Sequence, residues 1–109
     1  MNEGYDIVFS KPSYEDLEDI YSYISFVLLS PTSAKRTIDG ILKAISSLSF
    51  MPERFAAVEG LFWGKTPIRR MMVEHYSVYY AVFKESLRVL IAGITHKGRL
   101  LGATRSASA

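Results

Sequence analysis

Hydrophobic and polar positions alternate most cleanly between Tyr76 and Phe83. There Tyr76, Val78, Tyr80 and Val82 interleave with Ser77, Tyr79, Ala81 and Phe83, the period of two that gives a strand two faces. Arg69, Met71 and Val73 alternate more weakly with Arg70 and Met72 before it. Val89, Ile91 and Gly93 alternate with Leu90, Ala92 and Ile94 after it. The polar pieces Glu74-His75 and Lys84-Glu85-Ser86 fit the two bends between these segments. The pattern predicts a three-stranded antiparallel meander whose central strand is apolar on both faces, so both faces need cover.

Two helical patterns supply that cover. Leu17, Ile20, Tyr21, Ile24, Val27 and Leu28 recur at spacings of three and four, one face of an α-helix. Ser13 is the expected N-cap, with Glu15, Asp16 and Asp19 near the positive end of the helix dipole. Ser30-Pro31 restarts the chain as a second helix, with Ala34, Ile38, Ile41, Leu42, Ile45 and Leu48 as its stripe and Pro52 as its end. With almost no linker between them, the helices must fold back as an αα-hairpin, the natural lid for one sheet face. Upstream, Tyr5 to Phe9 is β-prone and is expected to join the sheet at an edge or beside the last strand. Residues 53–67 carry Gly60, Gly64 and Pro67 and read as a loop, with Trp63 pinning it onto the helices. The expected fold class is α+β: a twisted antiparallel β-sheet with an αα-hairpin on one face, in the order β-α-α-β-β-β. Residues 1–101 form its single domain and 102–109 a mobile tail.

Composition narrows the chemistry. At 109 residues with 49% hydrophobic content, the chain can bury one modest core. It has no cysteine, which excludes disulfides and thiolate metal sites and suits a reducing cytoplasm. No apolar run reaches the length of a membrane span, and no signal peptide is evident at the N-terminus. Charge is uneven: residues 1–30 hold one basic and six acidic residues, whereas the remainder holds twelve basic and five acidic ones. That asymmetry is either a solvated surface spread unevenly or a basic side that meets a polyanion.

No phosphate-loop, dinucleotide or nucleophile-elbow motif is present. With two histidines and no cysteine, a zinc site is not expected, and neither is a cofactor. What stands out is a cationic set at the sheet: Arg69, Arg70, His75, Arg88, His96, Lys97 and Arg99, with Glu74, Tyr79 and Tyr80 among them. RNA cleavage through the 2′-hydroxyl needs a base, an acid and cations for the phosphate charge, and these residue types suffice without a metal. His96, Lys97 and Arg99, joined by Arg69 or Arg70, are the candidate catalytic cluster. The plain alternative is a set of ordinary charges at strand ends.

The element order and the residues in it resemble the RelE/ParE superfamily, toxins of bacterial type II toxin–antitoxin modules. Tyr5-Asp6-Ile7-Val8-Phe9-Ser10, with Asp16-Leu17, Ile20 and Tyr23-Ile24, is similar to the family's opening strand and first helix. Ala34 through Ile41, Ile45 and Leu48, followed by Met51-Pro52-Glu53-Arg54-Phe55, resembles its second helix and "Pro-Glu-Arg" exit. Ile68-Arg69-Arg70 with His75-Tyr76 and Tyr79-Tyr80 resembles its arginine strand and central strand. Val89 to His96 and then Arg99 resembles its last strand and "H..R" ending.

The resemblance implies a toxin neutralised by a cognate antitoxin, with two targets known in the superfamily. RelE-like members cleave messenger RNA on the ribosome with basic residues on the sheet. ParE-like members poison DNA gyrase and are not nucleases. Ser77 stands where RelE-like chains often carry Arg, Lys97 falls near their last-strand Arg, and the long hairpin and Pro52-Glu53-Arg54 are more ParE-like. A third possibility is a diverged, non-catalytic member that only binds its antitoxin and co-represses the operon. The antitoxin segment, disordered until bound, is expected on the helical groove and the open sheet face. Without it the toxin is expected to be sticky or to form a homodimer.

Overall fold

A computed structural model describes residues 4–99 and 101. Among them, five strands form one sheet: β1 (Asp6–Phe9), β2 (Ala57–Trp63), β3 (Thr66–Val73), β4 (Tyr76–Phe83) and β5 (Arg88–His96). Their spatial order is β1-β5-β4-β3-β2. Strands β2 to β5 run antiparallel, with the bends at residues 74–75 and 84–87. β1 sits beside β5 and pairs with it in parallel, Ile7 opposite Val89 and Phe9 opposite Ile91. The sheet is therefore mixed rather than wholly antiparallel, because the chain leaves β1 into a helix crossover instead of a hairpin.

That helix, α1 (Lys11–Ser22), and α2 (Pro31–Ser46) cover one face of the sheet. α1 begins earlier than the Ser13 cap predicted. Ser10 is the cap, its hydroxyl accepting from the Ser13 amide at 3.2 Å, and Pro12 is tolerated in the first turn, where its missing N–H costs nothing. The helical stripes meet the sheet as their spacing requires. Leu17, Ile41, Ile45 and Leu48 pack on Val78, Tyr80, Val82, Val89 and Ile91, with Ile20 and Ile38 at the margin. Val27 and Leu28 do not join them; both are exposed.

Residues 57–63 are a strand, not part of a loop. Gly64-Lys65 turns the chain back into β3, and Gly60 lies at a φ of +81° inside an irregular stretch of the pairing, where the missing Cβ permits a bulge. The glycines that break the period are the devices of this hairpin. Trp63 packs with Val58, Leu61, Ile68, Tyr79, Ala81, Phe83, Ala92 and Leu101 on the far face of the sheet, away from the helices.

Between α2 and β2 the chain is fastened by side chains. The Arg54 guanidinium donates to the carbonyls of Phe50 at 2.7 Å and Met51 at 3.1 Å and to the Ser47 hydroxyl at 2.9 Å, fastening the segment that follows α2. Tyr80, fully buried, donates its hydroxyl to the Pro52 carbonyl at 2.6 Å. The expected mobile tail, 102–109, lies outside the described residues.

Candidate functional site

β1 ends opposite Ile91, so β5 runs on to His96 without a strand on that side. Its open backbone groups are taken up by the start of α1. The Ser10 amide donates to the Ile91 carbonyl at 3.1 Å and the Ser10 hydroxyl to the Ala92 carbonyl at 3.3 Å. The Ile94 amide donates to Asp16 Oδ2 at 2.9 Å. This side-chain substitute for a strand ties α1 to β5 as far as Ile94. Beyond it lies a groove of about 710 Å³, with Asp16, Asp19, Ile20, Tyr23, Ile24 and Leu28 on the helical side and His75, Tyr76, Ile94, Thr95, His96, Arg99 and Leu101 on the other.

The sheet end of the groove is tightly built. His96 lies opposite Tyr76 in register, and the rings meet edge to face with centroids 5.5 Å apart. The Lys97 amide donates to the His75 carbonyl at 2.6 Å, and the Arg99 amide to the His96 carbonyl at 3.0 Å. The Arg99 carbonyl accepts two hydroxyls, from Thr95 at 2.8 Å and from Tyr79 at 3.3 Å. Tyr79 belongs to the far-face cluster, so both layers of the sheet fix the turn that carries His96, Lys97 and Arg99. All three side chains are exposed. Burial, and secondarily Tyr23, pushes the Tyr76 phenol above its ordinary pKa. At neutral pH Tyr76 is a hydrogen-bond donor and not a base.

Arg69 and Arg70 are not brought to this turn. Arg69 is level with Tyr80 and Ile91, whereas His96 is level with Tyr76 and Val73. Four residues of strand, roughly 13 Å, separate the two levels. Arg69 instead donates to the carbonyls of Phe55 at 2.7 Å and Glu53 at 3.1 Å, which makes it a tether for the chain entering β2. Arg70 pairs with Tyr79 on the opposite face. The expected convergence of His96, Arg99 and one of these arginines is thus prevented by strand register.

The helical lining of the groove that also holds Arg99 and His96 includes two carboxylates, Asp16 and Asp19, among Ile20, Tyr23, Ile24 and Leu28. Sequence reasoning assigned both only to the helix dipole, and nothing in the local pattern signals a hydrogen bond between residues 78 positions apart. Among the described residues, no cluster of three or more His, Asp or Glu could hold a metal ion. A second groove, about 730 Å³, lies between β1 and the hairpin and is largely apolar, lined by Phe9, Tyr14, Leu17, Tyr21, Ile38 and Leu42 with Glu18 and Ser22. No helix among the described residues is long and apolar enough to cross a membrane.

Comparison with known proteins agrees with this architecture. A chain of the chromosomal ParDE TA system from P. aeruginosa superimposes with a TM-score of 0.69 at 19% identity, covering 87% of this chain and 98% of that one. A chain of the archaeal RelE–RelB complex from Pyrococcus horikoshii OT3 gives 0.61 at 18% identity, covering 89% and 99%. A chain of the toxin–antitoxin complex RelBE2 from Mycobacterium tuberculosis gives 0.59 at 18%, covering 86% and 99%. Comparison with curated protein sequences finds no match. The family model for the ParE toxin of the type II toxin–antitoxin system parDE matches residues 7–101. With nearly the whole described fold inside that match, the chain belongs to the ParE toxin family of type II toxin–antitoxin systems, within the RelE/ParE superfamily.

Proposed function

We propose that this toxin arrests growth by binding a protein, DNA gyrase, rather than by cutting messenger RNA. The observation that carries the reading is the separation of Arg69 and Arg70 from the His96–Arg99 turn. Phosphoryl chemistry without a metal depends on fixed cations around the scissile phosphate. Here His96 has only Lys97 and Arg99 in its own turn and two carboxylates, Asp16 and Asp19, in the helical lining of the groove. A phosphate placed there finds carboxylates in the same groove and no further arginine from β3. A protein surface with its own mixture of charges does not suffer this, because rim charges of both signs favour register and specificity. On this reading His96, Lys97 and Arg99 are contact residues. Neutralisation by a cognate antitoxin fits the apolar groove between β1 and the hairpin, which suits an amphipathic segment that folds on binding. The action is cytoplasmic, where gyrase works.

The test is induced expression followed by two readouts, gyrase-linked DNA breaks and mapping of messenger RNA 5′ ends, with purified gyrase supercoiling as a third. Breaks and loss of supercoiling activity without new RNA ends are expected. New RNA ends that vanish in His96→Ala while DNA stays intact overturn the reading and restore the ribonuclease.

A further inference from the structure

The last strand changes face partway along. Tyr79 stands opposite Gly93 but Tyr80 opposite Ile91, so Ala92 is an extra residue on β5, a bulge that inverts the alternation beyond it. Before the bulge Val89 and Ile91 pack under the helices; after it Ile94 does so, while Ala92 belongs to the far-face cluster. An unbroken strand would send Thr95 towards the helices and His96 away from them. The bulge reverses both. His96 reaches the groove, level with Tyr76, and Thr95 goes to the far face, level with Ser77. There the hydroxyls of Thr95 and Tyr79 converge on one acceptor, the Arg99 carbonyl, at 2.8 Å and 3.3 Å. Tyr79 is fully buried, and its partner across the ladder, Gly93, has no side chain. Leu101 follows Arg99 into the same buried cluster. The turn that presents His96 to the groove is thus gripped from the opposite face of the sheet.

We propose that Tyr79 and Thr95 are positioning residues for the contact with the target: their hydroxyls clasp the Arg99 carbonyl and hold His96, Lys97 and Arg99 as one presented unit. The inference rests on the reading of this turn as a contact with gyrase, and it adds what keeps the turn in place. Filling the core does not explain the tyrosine. A phenylalanine ring occupies the far-face cluster equally well, whereas the phenol reaches a surface turn 20 residues further along the chain. The turn's own backbone bonds, from the Lys97 amide to the His75 carbonyl and from the Arg99 amide to the His96 carbonyl, close it locally. The two hydroxyls join it to the buried layer. Tyr79 itself meets no partner, so its effect runs through Arg99. Each such bond shifts the balance between held and released turn by up to about tenfold. Apparent affinity falls with the population of the held form, since that form alone presents the three side chains together.

The experiment compares the full chain, freed of antitoxin, as wild type, Tyr79→Phe, Thr95→Val and the double variant. Two readouts are taken, amide hydrogen exchange at Lys97 and Arg99 and inhibition of purified gyrase supercoiling. In the double variant both amides are expected to exchange about tenfold faster, and half-inhibition to need about tenfold more toxin. The ladder between β3 and β4 is expected to keep its protection, and each single variant to fall between. Thr95→Ser keeps the hydroxyl and is expected to match the wild type in both readouts. Tyr80→Phe removes a hydroxyl from the other face of the same strand and is expected to lose stability with neither readout moved. A folded double variant with wild-type exchange at residues 97 and 99 overturns the proposal. So does one whose exchange quickens while its action on the target is undiminished, and so does a Tyr80→Phe variant that matches it. The gyrase reading fails separately, on a wild type that leaves supercoiling untouched; growth arrest by the same variants then serves as the second readout of the clasp.

Discussion

Tyr80 joins the core to the strap that connects the helices to the sheet, and replacing it with Phe tests that joint in two ways at once. Its ring is fully buried and its hydroxyl donates to the Pro52 carbonyl at 2.6 Å. Tyr80→Phe keeps the ring and leaves that carbonyl without its partner, so at pH 8 a loss of about 1–3 kcal/mol is expected. Burial, opposed in part by Arg69 and Arg54, pushes the Tyr80 phenol up to about 12 from the ordinary 10. A group whose pKa is raised on folding stabilises the fold below its unfolded value and loses that contribution as pH climbs through the folded one. For the wild type this loss is on the order of 1 kcal/mol at pH 11 and approaches roughly 3 kcal/mol above pH 12. The variant has no phenol at this site and escapes it. Urea unfolding from pH 8 to pH 11.5 therefore gives two stability curves that converge as pH rises. Curves that stay parallel show that the phenol ionises as readily in the folded chain as in the unfolded one, and the buried joint is then wrong.

The packing sets three further expectations. Leu48→Ala, at a fully buried site under the sheet, should cost ~2–5 kcal/mol in chemical denaturation; a loss below about half a kilocalorie is incompatible with its place in the core. Ser10→Ala removes a hydroxyl that both caps α1 and bonds β5, and a drop of about 1–2 kcal/mol in unfolding free energy is expected. Arg69→Met should lower thermal stability by several degrees, because two carbonyls lose their donor, yet leave growth arrest intact at permissive temperature. Arrest abolished in a folded Arg69→Met variant would return Arg69 to the working set.

The parts of the fold that periodicity disclosed are those in which one residue's neighbours decide its face. The stripe Leu17, Ile41, Ile45 and Leu48 and the alternation of Val78, Tyr80 and Val82 found each other without further information. β2 escaped because its alternation is interrupted by the bulge at Gly60 and its turn by Gly64, and glycine reads the same in a loop as in a hairpin. The outward turn of Val27 and Leu28 escaped because the π-helical turn at Tyr23–Val27 preserves the spacing of apolar letters while rotating them in space. The site was legible only in part. His96, Lys97 and Arg99 share a turn and could be grouped from sequence, but whether Arg69 reaches them depends on strand register. Asp16 on the Ile94 amide and Tyr79 on the Arg99 carbonyl are contacts between distant parts of the chain, and no local pattern encodes them.

The parallel pairing of β1 with β5 has a consequence for how the molecule comes into being. Among the described residues, the first strand of the chain lies against the last, and β5 is also the partner of β4 and the support of α1. During synthesis, β1 and both helices emerge with nothing to pack on but each other, and the sheet stays open on its β5 side until the final rungs leave the ribosome. Contacts of such long sequence separation close slowly, since the loop entropy is lost before they form. A nascent chain cut short before Arg88 lacks the strand that joins the two halves of the sheet. The toxic shape is therefore acquired only once β5 is available to close the sheet.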